Sequence, residues 1–80
     1  MAKNRLSKKF YKILDVKLIN YFKKHINDIA IFNGLELLKL TLLSYEDIVS
    51  LIIEVEYKYK LTNDFIYKEL KDYLLQFIND

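Results

Sequence analysis

The stretch Ser44-Tyr45-Glu46-Asp47-Ile48-Val49-Ser50-Leu51-Ile52-Ile53-Glu54-Val55-Glu56-Tyr57-Lys58-Tyr59 decides the fold. At 3.6 residues per turn, Tyr45, Ile48, Ile52, Val55 and Tyr59 fall on one face, flanked by Val49 and Leu51. Glu46, Asp47, Ser50, Glu54 and Lys58 fall on the opposite face. Ser44 is a good N-cap, and Asp47 stands three residues on, where it can close a capping box. Glu46 and Asp47 also suit the positive end of a helix dipole. The frequency of Val and Ile over residues 48–53 offers a strand as the rival, but charges at helical spacing on both sides outvote it. The spacing predicts a helix over residues 45–59.

A second helix is predicted over about residues 64–78, capped by Thr62 or Asn63. Ile66, Leu70, Tyr73, Leu74 and Phe77 make its buried stripe, and Lys68, Lys71, Asp72 and Gln76 its wet side. The link over residues 60–63 is short, which forces the two helices into contact. Toward the N-terminus a third helical pattern covers about residues 7–25. Phe10, Leu14, Leu18, Tyr21 and Phe22 line its apolar face, and a break near Leu14 is allowed because Asp15 can cap a new helix. Residues 27–43 show no clean period. Asn33-Gly34 reads as a turn or helix stop, so this region is expected to be a packed connection with at most a short helix over residues 35–39.

The chain has 80 residues, one glycine, no proline and no cysteine. That length holds one domain, residues 1–80, whose first 14 residues form a basic segment that can be a separate helix. The scarcity of turn formers argues against a sandwich or barrel and for an all-α bundle of three to four helices. The lack of cysteine excludes disulfides, thiolate metal sites and cysteine nucleophiles. No apolar run approaches the length of a membrane span, and no apolar signal core follows the basic N-terminus, so a cytoplasmic location without membrane insertion is expected.

The net charge of +2 hides an asymmetry. Residues 1–25 carry Lys3, Arg5, Lys8, Lys9, Lys12, Lys17, Lys23 and Lys24 against Asp15 alone, a net of +7. Residues 26–80 carry five lysines and ten acidic residues, a net of −5. The basic half can meet nucleic acid or an anionic surface, or complement the acidic half of its own molecule.

Little here carries catalysis. His25 is the single histidine and reads as a solvated helix-end residue. Glu54 and Glu56 point to different sides of a helix and form no carboxylate dyad. There is no glycine-rich phosphate loop. Most aromatics sit at core spacing, leaving Tyr57 and Tyr67 as weak candidates for stacking on bases. Ser44 stands out, because a hydroxyl at a helix N-terminus lies beside unpaired backbone N–H groups that favour an attached phosphate.

From Lys39 onward the chain resembles the acyl carrier proteins, small four-helix bundles that hold a 4′-phosphopantetheine arm on a serine. Lys39-Leu40-Thr41-Leu42-Leu43-Ser44-Tyr45 stands in place of the family's D-L-G-x-D-S-L segment. Val49, Leu51, Ile52, Val55, Glu56, Tyr59 and Leu61 follow the order of the next helix, and Leu70, Asp72, Leu74, Phe77 and Ile78 that of the last. The segment is degenerate: Leu43 and Thr41 replace its aspartate and glycine, and Ser44 falls on the modified position only with a one-residue offset. The resemblance implies an acyl-carrier-like bundle that is not an enzyme. Ser44 would hold 4′-phosphopantetheine bearing an acyl or aminoacyl thioester. Glu46, Asp47, Ser50 and Glu54 would dock to a phosphopantetheinyl transferase and to acyl-processing enzymes of a biosynthetic pathway.

Two other readings stand beside this. One is a cofactor-free helical interaction module, such as an inhibitor, immunity or regulatory protein, with the outward apolar residues Ile53 and Leu75 in its interface. The other is nucleic-acid binding through the basic N-terminal helix.

Overall fold

The computed structural model describes residues 14–78, which form four helices and no strand. We label them α1 (Val16–His25), α2 (Ile29–Lys39), α3 (Tyr45–Thr62) and α4 (Phe65–Leu75). They close a ring: α1 packs on α2, α2 on α3, α3 on α4, and α4 returns to α1. The α3–α4 hairpin has the most extensive contact. The all-α bundle expected from the sequence is what forms. None of these helices is long and apolar enough to cross a membrane.

Each helix starts on a side chain that satisfies its unpaired N–H groups. Asp15 accepts from the N–H groups of Lys17 and Leu18 at 3.0 and 3.2 Å, Asp28 from Ile31 at 3.1 Å, and Asp64 from Ile66 at 3.2 Å. The cap of α4 is therefore Asp64 rather than Thr62 or Asn63. Asn63 instead ends α3 in the left-handed conformation, φ 59°, donating to Tyr59 O. Asn tolerates that region better than most residues. Thus α3 runs three residues past the predicted end, and α4 is shorter than predicted. Asp15 does open a new helix, so α1 begins at Val16; the predicted helix over residues 7–13, with Phe10, lies outside the described residues.

The connection expected over residues 27–43 is overturned. Residues Ile29–Lys39 form a continuous helix in which Asn33 and Gly34 are interior. Tertiary packing explains the glycine. A Cβ on Gly34 would come within 2.7 Å of Leu51 Cδ1 and 3.1 Å of its Cδ2, so the missing side chain lets α2 and α3 approach closely. That approach also buries Leu51, which the sequence pattern placed only on the flank of the α3 face.

The stop comes later, at Thr41, with φ 57°. Thr41 N donates to Leu38 O and Leu42 N to Leu37 O, each at 2.9 Å, the paired bonds of a Schellman ending. The strained position there usually belongs to glycine, and a β-branched residue is the least suited to it.

One apolar cluster fills the interior. It joins Ile19, Phe22 and Ile26 near α1, Ile31, Leu35 and Leu38 of α2, Ile48, Leu51, Ile52 and Val55 of α3, and Tyr67, Leu70, Tyr73, Leu74 and Phe77 at α4. Tyr45 is 42% exposed and Tyr59 half-buried, because they lie at the ends of the α3 stripe. Ile66 and Leu75 are half-buried against the core, so Leu75 is not the outward residue the pattern suggested. Polar ties cross the helix pairs. The Asp15 N–H donates to the Tyr73 hydroxyl, Lys23 pairs with Glu36, and Lys58 Nζ lies 2.7 Å from Asp28 Oδ2. The Lys58 ammonium holds the Asp28 carboxyl below the usual carboxylate range, and Asp28 in turn pushes Lys58 upward.

Two outcomes are expected. Thr41→Gly should raise the unfolding free energy by about 1 kcal/mol in urea titrations, since it relieves the left-handed strain. Asp28→Asn keeps an N-cap side chain but loses the ion pair, so it should be less stable at pH 7. Because folding depresses the Asp28 pKa, the stabilisation is present above the unfolded value of about 3.9 and fades as pH falls toward the folded one. A wild-type advantage that is the same at pH 7 and pH 3 would refute the assignment.

Candidate functional site

The features singled out in the sequence converge on α3. Ser44 is its N-cap: the Asp47 N–H donates to Ser44 Oγ and the Ser44 N–H donates to Asp47 Oδ2, both at 3.2 Å. This is the reciprocal capping box expected from the spacing. Ser44 is half-buried, with its hydroxyl oxygen accepting a backbone N–H at the helix mouth. Thr41, three residues before Ser44, has a φ of 57°, a conformation that favours glycine.

Glu46, Asp47 and Ser50 are exposed and Glu54 is half-buried. Interleaved with them is an apolar stripe that includes Ile53, expected to face outward, and Tyr57, expected on a wet face as a stacking candidate, and extends to Leu61. Ile53 is 63% exposed, Tyr57 59% and Leu61 61%, at spacing i, i+4, i+8. The signal was legible, since these three residues lie opposite the buried stripe of Ile48, Leu51, Ile52 and Val55. A helix that is apolar on both sides needs a second neighbour or leaves one side in water. On α3, α2 and α4 cover one side only.

The nucleic-acid candidates are dispersed. Tyr67 is buried, its exposure being 8%, and cannot stack on a base. Lys23 is engaged by Glu36 and lies 4.9 Å over the Phe32 ring, leaving Lys17 and Lys24 as the exposed lysines of α1. Lys3, Arg5, Lys8, Lys9 and Lys12 lie outside the described residues. His25 is the exposed last residue of α1, with its ring 4.5 Å from that of Tyr21.

Between α1 and α4 an open groove of about 400 Å³ is lined by Leu18, Tyr21, Glu69, Asp72 and Gln76 among others. It also reaches Tyr73, whose hydroxyl burial pushes up in pKa while the bond from the Asp15 N–H opposes the shift. That hydroxyl is committed to α1 and is poorly placed as an acid or base. Among the described residues no cluster of three or more His, Asp or Glu could hold a metal ion.

No family model matches the chain, and neither a curated protein nor a solved structure matches it. The molecule is an all-α bundle whose longest helix presents an acidic face with an apolar stripe to solvent.

Ser44→Ala removes the capping oxygen and should lower the unfolding free energy by about 1 kcal/mol while leaving the helices in place. Urea titration followed by circular dichroism measures both. An unchanged midpoint would show that the capping bond is not stabilising.

Proposed function

We propose that this chain is a non-catalytic docking module. The face carrying Glu46, Asp47, Ser50, Ile53 and Glu54 engages an apolar patch rimmed by basic groups on a partner protein. The observation that carries the reading is the exposure of Ile53 and Tyr57, 63% and 59%, on a helix whose other side is buried through Ile48, Leu51, Ile52 and Val55. Acidic groups around that stripe favour a basic rim by charge complementarity and would set the rate of encounter more than the affinity. Binding is accordingly transient and weakened by salt.

A second reading is favoured by the placement of Ser44. With its hydroxyl at the mouth of α3, the chain would be a carrier holding 4′-phosphopantetheine on Ser44. The same acidic face would then meet the phosphopantetheinyl transferase and the acyl-processing enzymes. A phosphate on Ser44 Oγ would sit at the positive end of an 18-residue helix, an electrostatically favourable site.

Tagged wild-type chain recovered from its own host at low salt should bring down a stoichiometric protein that added salt releases and that Ile53→Asp fails to recover. Equal recovery by Ile53→Asp would overturn the docking reading. For the carrier reading, incubation with coenzyme A and a phosphopantetheinyl transferase should add one arm to the intact mass of wild type and none to Ser44→Ala. No mass gain, or a gain that persists in Ser44→Ala, would remove Ser44 from that role.

A further inference from the structure

The charge order of α3 supplies a partner for its outward stripe. Counted outward from Tyr57, Glu56 mirrors Lys58, Val55 mirrors Tyr59, Glu54 mirrors Lys60 and Ile53 mirrors Leu61. The segment is symmetric in apolar character and antisymmetric in charge. Ser50, Ile53, Tyr57 and Lys60 are all exposed and follow the three-and-four spacing by which two helices mesh along a seam. The basic-rimmed apolar patch that the N-terminal half of this face would accept is therefore present on the C-terminal half of the same face.

We infer that two copies of this chain pair through this face, α3 against α3, antiparallel, with the twofold axis beside Tyr57. The inference rests on the docking reading and names its partner. In this arrangement Ile53 meets the partner's Leu61 and Tyr57 meets the partner's Tyr57. Glu54 and Glu56 lie beside the partner's Lys58 and Lys60, and the relation repeats on the other side of the axis, as an isologous contact requires. Parallel pairing would instead set glutamate against glutamate and lysine against lysine. Competition from within the chain is modest on this rim. The Lys60 side chain is 73% exposed, and Glu56 reaches Lys60 and Lys71 only at 3.5 and 3.7 Å. Lys58 is already held by Asp28 and contributes less. The stripe is short, so the interface stays below about 1,200 Å² in total, the size of weak and reversible contacts.

Sedimentation of the purified full chain at low ionic strength tests this. Its mass should climb from 9.7 kDa toward twice that value with concentration and fall back on adding salt. Tyr57→Asp, which sets two carboxylates at the axis, should hold it at the single mass. Glu54→Lys/Glu56→Lys and Lys60→Glu should each weaken association about tenfold, and their equimolar mixture should restore it as a mixed dimer. Tyr57 and Lys60 are exposed and Glu54 and Glu56 half-buried, and unchanged helicity by circular dichroism certifies each variant as folded. A wild-type chain that stays at the single mass up to about millimolar, or a mixture that associates no better than its components, overturns the pairing. A chain that stays monomeric yet loses a host partner on Ile53→Asp overturns the pairing and leaves the docking reading standing. A chain that stays monomeric and loses no host partner on Ile53→Asp overturns both.

Discussion

The packing of α3 against α4 is the interaction on which the rest of this molecule depends. Ile48, Ile52 and Val55 on one side and Leu70, Leu74 and Phe77 on the other are almost completely removed from water. Each such side chain contributes about 1.5–3 kcal/mol of burial. In a chain of this length the margin over conformational entropy is only a few kcal/mol, so losing a few of these side chains would unfold it. With Asn63 and Asp64 as the entire link, the hairpin has little freedom in how its faces meet. Once the buried stripe of α3 is committed inward, Ile53, Tyr57 and Leu61 have to point away. The outward stripe is thus a geometric consequence of the core.

The other two helices complete the ring by devices that do not show in hydrophobic periodicity. Gly34 contributes by lacking a side chain, which brings α2 against Leu51. Thr41 accepts an unfavourable backbone conformation so that α2 can end and the chain can turn into the α3 cap. That strain is tolerated because Leu43, just beyond it, is buried in the common core. Aspartates at three helix starts and a serine at the fourth satisfy the N–H groups that would otherwise be left unpaired.

The charge asymmetry of the sequence is partly resolved inside the fold. Lys23 of α1 meets Glu36 of α2, Asp28 at the head of α2 meets Lys58 of α3, and Lys71 of α4 approaches Glu56 of α3. Each ties neighbours in the ring, so they select which helices adjoin more than they add stability, as partly exposed pairs are individually weak. What remains outward on α3 runs from acidic at its start to basic near its end. That gradient complements the helix dipole and gives the face two unlike halves.

The sequence by itself determined α3 and α4, the Ser44–Asp47 capping box, the all-α class and most of the buried stripe. Those features rest on interactions within one or two helical turns, and residue spacing records such interactions directly. It also held the opposition of Ile53, Tyr57 and Leu61 to the core, of which Ile53 and Tyr57 stand out individually and Leu61 does not. The tertiary structure alone decided that Asn33-Gly34 lies inside a helix and that Leu51 is core rather than flank. It also decided that Tyr67 is buried and that the helix stop falls on a strained threonine. In each of these a partner distant in sequence outweighs local propensity. A glycine that looks like a turn becomes a close-packing point only when Leu51 stands opposite it, and no local pattern states that they meet.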